Sequence, residues 1–299
     1  MTQPVAIAGA AHWWLRAAPV LFLLIWSCSF VFLKLGLRYT DPLTFLALRW
    51  ACVVCVLLLA FGLVRPRLPA TARAWGNLAM VGLFLQVGYL VGTYLSLKAG
   101  VSAGAVALIT SQQPILIGLL APAVAGERVD ARRWAGLVLG VLGACVVVLA
   151  NAAISIASPA GLLFALLALF SLSASTLWEK RFGIATHPIT ANLVQSGVGL
   201  LVIAPLAYLL EPMRVQWSLP LLGSLAYLVF ATSLVAITLL LAMIRQGEAS
   251  RVSALFFLVP PVTAMIAYAM LGEAMAPLAW LGMALAALGI YLVMRPAES

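Results

Sequence analysis

Charge is scarce in this chain. Of 299 residues only 8% are Asp, Glu, Lys or Arg, while 65% are hydrophobic and the mean hydropathy is +1.15. A soluble domain carries about 25% charged residues, so a water-soluble globule is excluded and the solvent is lipid. Acids are the rarest charge, eight in all, and histidine occurs only as His12 and His187. Those two lie in different segments and lack metal-ligand spacing. No nucleophile, base and acid stand at catalytic spacing either, so an enzyme is not expected and neither a metal nor a cofactor is predicted. The four cysteines, Cys28, Cys52, Cys55 and Cys145, all fall inside apolar runs. The Cys52–Cys55 spacing has no histidine or second pair beside it, which argues against a redox or metal site. No structural disulfide is expected. No run alternates with period two, which excludes a membrane β-barrel.

Long apolar runs are abundant. Ten can be read, near Ala17–Leu37, Leu43–Val64, Gly76–Leu97, Ala103–Ala125, Trp134–Ala150, Pro159–Glu179, Ile189–Leu210, Leu219–Ile244, Ser250–Leu271 and Pro277–Met294. A membrane helix needs roughly 20 residues. Short Pro, Gly and charged stretches such as Arg65-Pro66-Arg67 and Glu211-Pro212 separate the runs. The first run lacks a small-residue cleavage site and reads as a retained helix. The net charge of +9 is a topology signal rather than a nucleic-acid footprint. Twelve basic residues fall on the side of the termini and of the loops holding Arg65, Arg128, Lys180 and Arg245. Four fall on the other side: Lys34, Arg38, Lys98 and Arg214. Positive loops stay cytoplasmic, which predicts both termini inside.

The sequence also repeats itself. A shift of 146 residues without a gap brings Lys34 onto Lys180, Pro42 onto Pro188 and Pro114 onto Pro260. It brings Gly126-Glu127 onto Gly272-Glu273, Trp134 onto Trp280, Gly136 onto Gly282 and Gly143 onto Gly289. Coincidences of Lys, Pro, Trp and Glu carry weight in so apolar a chain. Each half holds five runs, an odd number, so the second half starts on the opposite side and runs upside-down. The predicted fold is all-α and membrane-integral. It has ten transmembrane helices arranged as two inverted five-helix repeats, residues 1–151 and 152–299. Such symmetry suits alternating access, in which the halves exchange conformations.

The order of motifs carries a family resemblance. Trp26-Ser-Cys-Ser-Phe30 is followed by Lys34, Gly36, Asp41-Pro42, Arg49-Trp50, Ser102-Ala103, Gln113-Pro114, Gly126-Glu127-Arg128, Trp134, Gly136, Gly140 and Gly143. The second half echoes them with Lys180, Pro188, Ala249-Ser250, Pro260, Gly272-Glu273, Gly282 and Gly289. This pattern resembles the EamA-type branch of the drug/metabolite transporter superfamily. Within it the chain is most similar to the YddG-type amino acid exporters of bacterial inner membranes. The resemblance implies ten helices, a five-plus-five inverted repeat and export of small metabolites. The second half departs where Arg49 meets Gln195, so any role of that arginine is not symmetric.

A candidate substrate site follows from polar residues within the spans. Pro114 removes a helix hydrogen bond in span four and frees the Thr110 carbonyl. Pro260 and Pro261 do the same for Phe256 and Phe257 in span nine. Kinks at matching depth in the two halves point to a midplane site, with Gln112 and Gln113 beside the first. Span three places Gln86, Tyr89 and Thr93 on one face, with Gly82, Gly88 and Gly92 for close packing. Trp26 and Phe30 in span one, Ser175 and Trp178 in span six, and Thr232 in span eight complete the set. Each residue taken singly suits plain helix packing equally well.

Arg49 is the costliest residue to place, about 10 Å into span two from Pro42. Facing lipid it would cost about 2–3 kcal/mol or more. It therefore faces protein or water, either to hold a neighbour's carbonyls or to hold a substrate carboxylate; the structural role is favoured. Lys34–Glu273 and Lys180–Glu127 stand level under inversion and are expected as alternating latches. Helix capping by the glutamates and snorkelling by the lysines is the favoured reading against which that latch hypothesis stands. The expected function is a carrier that exports small metabolites, above all amino acids including aromatic ones, from the cytoplasm through a central cavity. A broad-range drug or organic-cation exporter is the alternative. It is disfavoured because all eight acids map to span ends, loops or tails. The expected partners are a small-molecule substrate and membrane lipid, not nucleic acid. A monomer is one option, since Gly136-xxx-Gly140 and Gly282-xxx-Ala286 suit helix contacts within one chain or between two.

Overall fold

The structure is a computed structural model that describes residues 12–113, 115–117, 131–152, 158–183, 186–236, 239, 258–274 and 276–294. Lipid supplies no hydrogen bonds, so a spanning backbone must satisfy itself as helix. The described residues are accordingly helical, with one isolated antiparallel bridge, Thr40 to Val215, and no strand among them.

The order is α1 (His12–Gly36), α2 (Pro42–Val64) and α3 (Ala72–Gly82), then a π-helical segment π1 (Leu83–Tyr89) and α4 (Leu90–Lys98). It continues with α5 (Ala103–Ser111), α6 (Ala131–Ala152), α7 (Pro159–Phe182), α8 (Pro188–Leu210) and α9 (Leu219–Ala226). A second π-helical segment, π2 (Tyr227–Ala236), precedes α10 (Val259–Leu271) and α11 (Pro277–Met294). Among the described residues, six stretches are long and apolar enough to cross a membrane: Ala17–Gly36, Pro42–Val64, Ala72–Lys98, Pro159–Glu179, Pro188–Leu210 and Leu219–Ala236. Four shorter apolar helices accompany them, Ala103–Ile117, Trp134–Gly143, Val259–Leu271 and Pro277–Gly289. Large apolar side chains such as Leu59, Leu63, Leu201 and Leu209 are highly exposed, as a lipid-facing surface requires.

Helix ends follow local chemistry. Ser or Thr hydroxyls at residues 71, 102, 158 and 218 accept from backbone N–H groups of the first turn of their helices. Prolines open α2, α7 and α8, where the missing N–H has no helical partner to lose. Gly272 closes α10 with φ +68, the left-handed conformation that glycine adopts without a Cβ clash. Thr71 starts the third span at Ala72, four residues before the expected Gly76. The sixth runs on through Arg181 to Phe182.

Helix bounds recur at the 146-residue offset. α2 shifted by that amount coincides with α8, end to end, and π1 falls inside π2. The halves interleave: α1 packs on α9, π2 and α10, α2 on α8, π1 and α4 on α7, and α5 on α10. The most intimate pair is α6 with α11. A Cβ on Gly143 would overlap the Ala286 nitrogen and stand 2.5 Å from the Gly282 oxygen. A Cβ on Gly289 would overlap the Gly140 nitrogen and stand 2.5 Å from the Gly136 oxygen. The two contacts exchange under the offset. Here the GxxxG spacing works within the chain.

Because backbone lies behind these two glycines, a side chain there cannot be relieved by a rotamer change. Gly143→Val and Gly289→Val are expected to destabilise the purified protein by about 1–3 kcal/mol. Gly197→Ala, with nothing within 4 Å of the new Cβ, is expected to leave it unchanged. Thermal unfolding in detergent, followed by near-ultraviolet signal and monodispersity, checks this.

Candidate functional site

Two π-helical segments interrupt otherwise regular helices. A π turn inserts a residue into the ladder, and such bulges occur frequently at functional sites. Both turn a polar face into the protein, while Leu83 of π1 and Phe230 and Val235 of π2 are exposed. Gln86 and Tyr89 of π1 are buried, as are Thr232 and Ser233 of π2. Thr93 follows on the same buried face, and its hydroxyl donates to the Tyr89 carbonyl at 2.8 Å. The glycines of this span make close contacts. Gly82 lies against the Gln195 backbone, Gly88 against Ser171, and Gly92 against the Phe164 carbonyl and Ala168.

Arg49 reaches between α4 and π2. It is 5% exposed, its Nη2 donates to Ser233 Oγ at 3.0 Å, and its Nη1 approaches Tyr94 Oη at 3.4 Å. Its guanidinium carbon lies 5.0 Å from the Trp50 ring centroid, within cation–π range. Ser233 extends the network, since its carbonyl accepts from Asn192 Nδ2 at 3.2 Å and Ser196 donates to Asn192 Oδ1 at 3.2 Å. Side chains of α2, α4, α8 and π2 thus meet around one cation. The Nε of Arg49, the Nε1 of Trp50 and the hydroxyl of Thr232 are buried without a partner.

The break in the fourth span falls at Gln112, two residues before Pro114. The Gln112 amide nitrogen bonds back to Ile109 at 3.2 Å, its side chain bonds to the Leu108 carbonyl, and residues 115–117 are helical again. Gln113 ties this break to α7, donating to Thr176 Oγ1 at 2.6 Å and to the Leu172 carbonyl at 3.3 Å. Pro114, Glu127, Phe256, Phe257 and the Lys180 side chain lie outside the described residues. Pro260 and Pro261 occupy the first turn of α10. The expected mid-span kink is therefore a helix start as far as the described residues show it, a position that tolerates proline.

Among the remaining predicted residues, Phe30 and Ser175 are buried. Trp26 packs near Phe22, with ring centroids 5.4 Å apart. Trp178 lies between Phe84 of π1, at 6.3 Å, and Phe182, at 4.7 Å, and its buried Nε1 has no partner. The structure gathers Arg49, Thr232 and the Thr93 face around the π segments. It puts Gln113, Ser175 and Trp178 along α7, sets the Gln112 side chain against Gly140 of α6, and puts Trp26 and Phe30 along α1.

Carboxylates tie helices together at one end of the bundle. Lys34 forms an ion pair with Glu273 and donates to the Val101 carbonyl at 3.0 Å. The other Glu273 oxygen accepts from the Ala103 amide at 3.2 Å, at the start of α5. Glu211 accepts from the amides of Leu43 and Thr44, both at 2.8 Å, and from the Thr44 hydroxyl. Asp41 accepts from the Arg214 amide at 3.2 Å, and Tyr39 pairs with Gln216 through the backbone. Carboxylates following α8 and α10 thus cap α2 and α5. The opposite end carries a surface cleft lined by Thr71, Arg73, Asn77, Arg181 and Phe182.

This architecture has a known counterpart. The sequence matches the EamA-like transporter family twice, over residues 12–149 and 159–295. The chain belongs to the EamA family of the drug/metabolite transporter superfamily. It is a multi-pass membrane transporter of small molecules and not an enzyme. A Salmonella typhimurium protein named a probable amino-acid metabolite efflux pump is 25% identical over 91% of this chain and 92% of its own length. An Escherichia coli protein of the same name gives the same identity and coverage. An uncharacterized Bacillus subtilis transporter, YvbV, is 24% identical over 80% of this chain and 78% of its own. A solved crystal structure superposes with a TM-score of 0.63 at 20% identity, covering 93% of this chain and 95% of that one. That likeness concerns the fold alone.

Several elements of the EamA protein's polar framework escape sequence reading. Glu211 reads as loop punctuation beside Pro212, yet it caps α2 from 168 residues away. Asn192 and Ser196 are a spacing-four polar pair on one face of an apolar helix, and that spacing is the signal the sequence holds for them. Removing the Glu211 carboxylate leaves two amides and a hydroxyl without their acceptor. Glu211→Ala is expected to cost about 1–2 kcal/mol of thermal stability, and Thr44→Val less, because only one bond is lost. Melting curves of the two variants check the order.

Proposed function

We propose that this EamA-type transporter exports amino acids, aromatic ones included, from the bacterial cytoplasm across the inner membrane by alternating access. Both termini face the cytoplasm, and residues 1–151 and 152–299 act as two inverted five-helix repeats. The observation that carries this reading is the pair of π segments at equivalent positions of the two halves, each bearing buried polar side chains. The reciprocal glycine contacts of α6 and α11 support the two-fold relation. The names of the Salmonella and Escherichia coli relatives support the substrate class and the membrane.

On this reading the central path is lined by Gln86, Tyr89, Thr93, Gln112, Gln113, Ser175, Trp178 and Thr232, with Trp26 and Phe30 as apolar wall. Aromatic and hydroxyl groups suit a zwitterion with an apolar side chain. An organic-cation exporter is the weaker alternative. The described acids Asp41, Glu179, Glu211 and Glu273 stand at helix ends or beyond them, and the buried charge is a cation. A buried guanidinium repels a cationic substrate.

Proteoliposomes loaded with a labelled amino-acid panel are expected to release aromatic amino acids faster than protein-free vesicles, and to leave quaternary ammonium compounds in place. Tyr89→Ala and Trp178→Ala are expected to reduce that release at least tenfold with unchanged folded yield. Release of organic cations alone overturns the assignment.

On this reading Lys34–Glu273 latches the periplasmic side, and Lys180–Glu127 would latch the cytoplasmic side in the alternate state. An exposed ion pair contributes about 0–1 kcal/mol, but one made only when a side closes biases the conformational equilibrium. Lys34→Ala, Glu273→Ala and the double variant are expected to be non-additive in transport rate, the double variant resembling either single one. Additive losses rule out the latch.

A further inference from the structure

Arg49 holds a buried positive charge to which, among the described residues, no carboxylate is joined. A guanidinium offers five N–H donors in a planar fork. Two neutral hydroxyls, those of Ser233 and Tyr94, engage it, the second at a long 3.4 Å, and its Nε is unpartnered. The Trp50 indole N–H beside it is likewise buried without an acceptor, as is the hydroxyl of Thr232, the chain neighbour of Ser233. Two of these three unpartnered groups are obligate donors and the third is able to donate. What the neighbourhood lacks is a negatively charged acceptor.

A purely structural arginine is built differently. Buried charges persist when they are paired and fully hydrogen-bonded, and an uncompensated one inside a membrane protein marks a functional site by default. The repeat sharpens the point, because the equivalent position in the second half is Gln195, which carries no charge. Helix packing alone would be served by that glutamine in both halves.

We propose that Arg49 binds the carboxylate of the transported substrate, which displaces the Ser233 and Tyr94 hydroxyls from the guanidinium. The proposal rests on the amino-acid reading above for the rest of the molecule but concerns only the acid group. A carboxylate makes two parallel charge-assisted bonds where the hydroxyls make neutral ones. Its charge compensates that of Arg49 locally, so the guanidinium of the loaded protein is paired where that of the empty one is bare, while the ammonium of an amino acid leaves the net charge of the site unchanged. Because π2 carries Ser233 and α4 carries Tyr94, exchange of their hydroxyls for substrate acts on helices of both halves.

The probes are L-phenylalanine, L-phenylalaninamide and 3-phenylpropionate, which differ in whether the carboxylate and the ammonium are present. Ligand-dependent thermal stabilisation of the purified protein is measured for the wild type, Arg49→Lys and Arg49→Gln, and amino-acid release is followed in proteoliposomes. The wild type is expected to bind both carboxylates at least tenfold more tightly than the amide. Arg49→Lys, which keeps the charge but loses the fork, is expected to weaken carboxylate binding at least tenfold. Arg49→Gln is expected to abolish the preference for acid over amide. A structural arginine would lower the melting temperature while leaving that preference intact. The proposal is overturned if the wild type binds amide and acid alike, if it binds neither carboxylate, if Arg49→Lys binds the carboxylates as tightly as the wild type, or if Arg49→Gln keeps the preference. Should Arg49→Gln fail to fold, the wild-type series and Arg49→Lys decide. If 3-phenylpropionate binds in an Arg49-dependent way while no amino acid is released, the acid site stands and the amino-acid reading falls. If amino acids are released and Arg49→Lys leaves their apparent affinity unchanged, the opposite holds.

Discussion

A hydrocarbon solvent offers a peptide group no hydrogen bond, and most features of this transporter answer to that fact. Each apolar stretch folds as helix because only helix satisfies its own backbone. The described departures from regular helix each turn one face into the protein, while Leu83, Phe230 and Val235 stay exposed. Gln86 and Tyr89 in π1, Leu228, Val229, Thr232, Ser233 and Ala236 in π2, and Gln112 at the break after α5 are all buried. Side chains meet the loosened backbone there: the Ser233 hydroxyl donates to the Leu228 carbonyl at 3.0 Å, and Asn192 donates to the Ser233 carbonyl. The irregular backbone and the polar side chains therefore occur together for one physical reason.

The same solvent explains where charge goes. Glu211 and Glu273 stand beyond the ends of α8 and α10, at the N-terminal ends of α2 and α5, where free amides await an acceptor. Each binds an element more than 150 residues away in the chain, so the carboxylates fasten one half to the other. Arg49 is the exception in depth. It is tolerated because hydroxyls and the Trp50 face surround it, and its incomplete satisfaction sets it apart from the capping acids.

The repeat organises packing more strictly than it organises polarity. Gly143 and Gly289 make equivalent contacts, and α2 and α8 share bounds at the offset. Backbone approach and helix length tolerate little drift, since a single added Cβ would overlap the facing chain. Polar positions have diverged: Arg49 faces Gln195 at the offset, Gln86 faces Thr232, and Glu211 faces Arg65. A symmetric frame thus carries an asymmetric polar set.

Lipid as solvent, the helical class, the approximate spans, the duplication and the small-residue seam are all legible in the sequence. Each is a matter of composition, spacing or residue size, which the chain displays directly. The glycines at 82, 88 and 92 signal close packing in the same way, and the structure supplies their partners. The π segments were not legible, because an inserted residue in a helical ladder leaves no mark in an apolar pattern that is hydrophobic on every face. Nor were the partners of Arg49 and Glu211, which lie 184 and 168 residues away and are chosen by how the two halves dock. Sequence alone determined that an arginine and a set of polar groups inside the spans had to be satisfied somewhere. Only the tertiary structure decided with whom, because a long-range hydrogen bond depends on where helices from both halves come to rest, not on the spacing along either one.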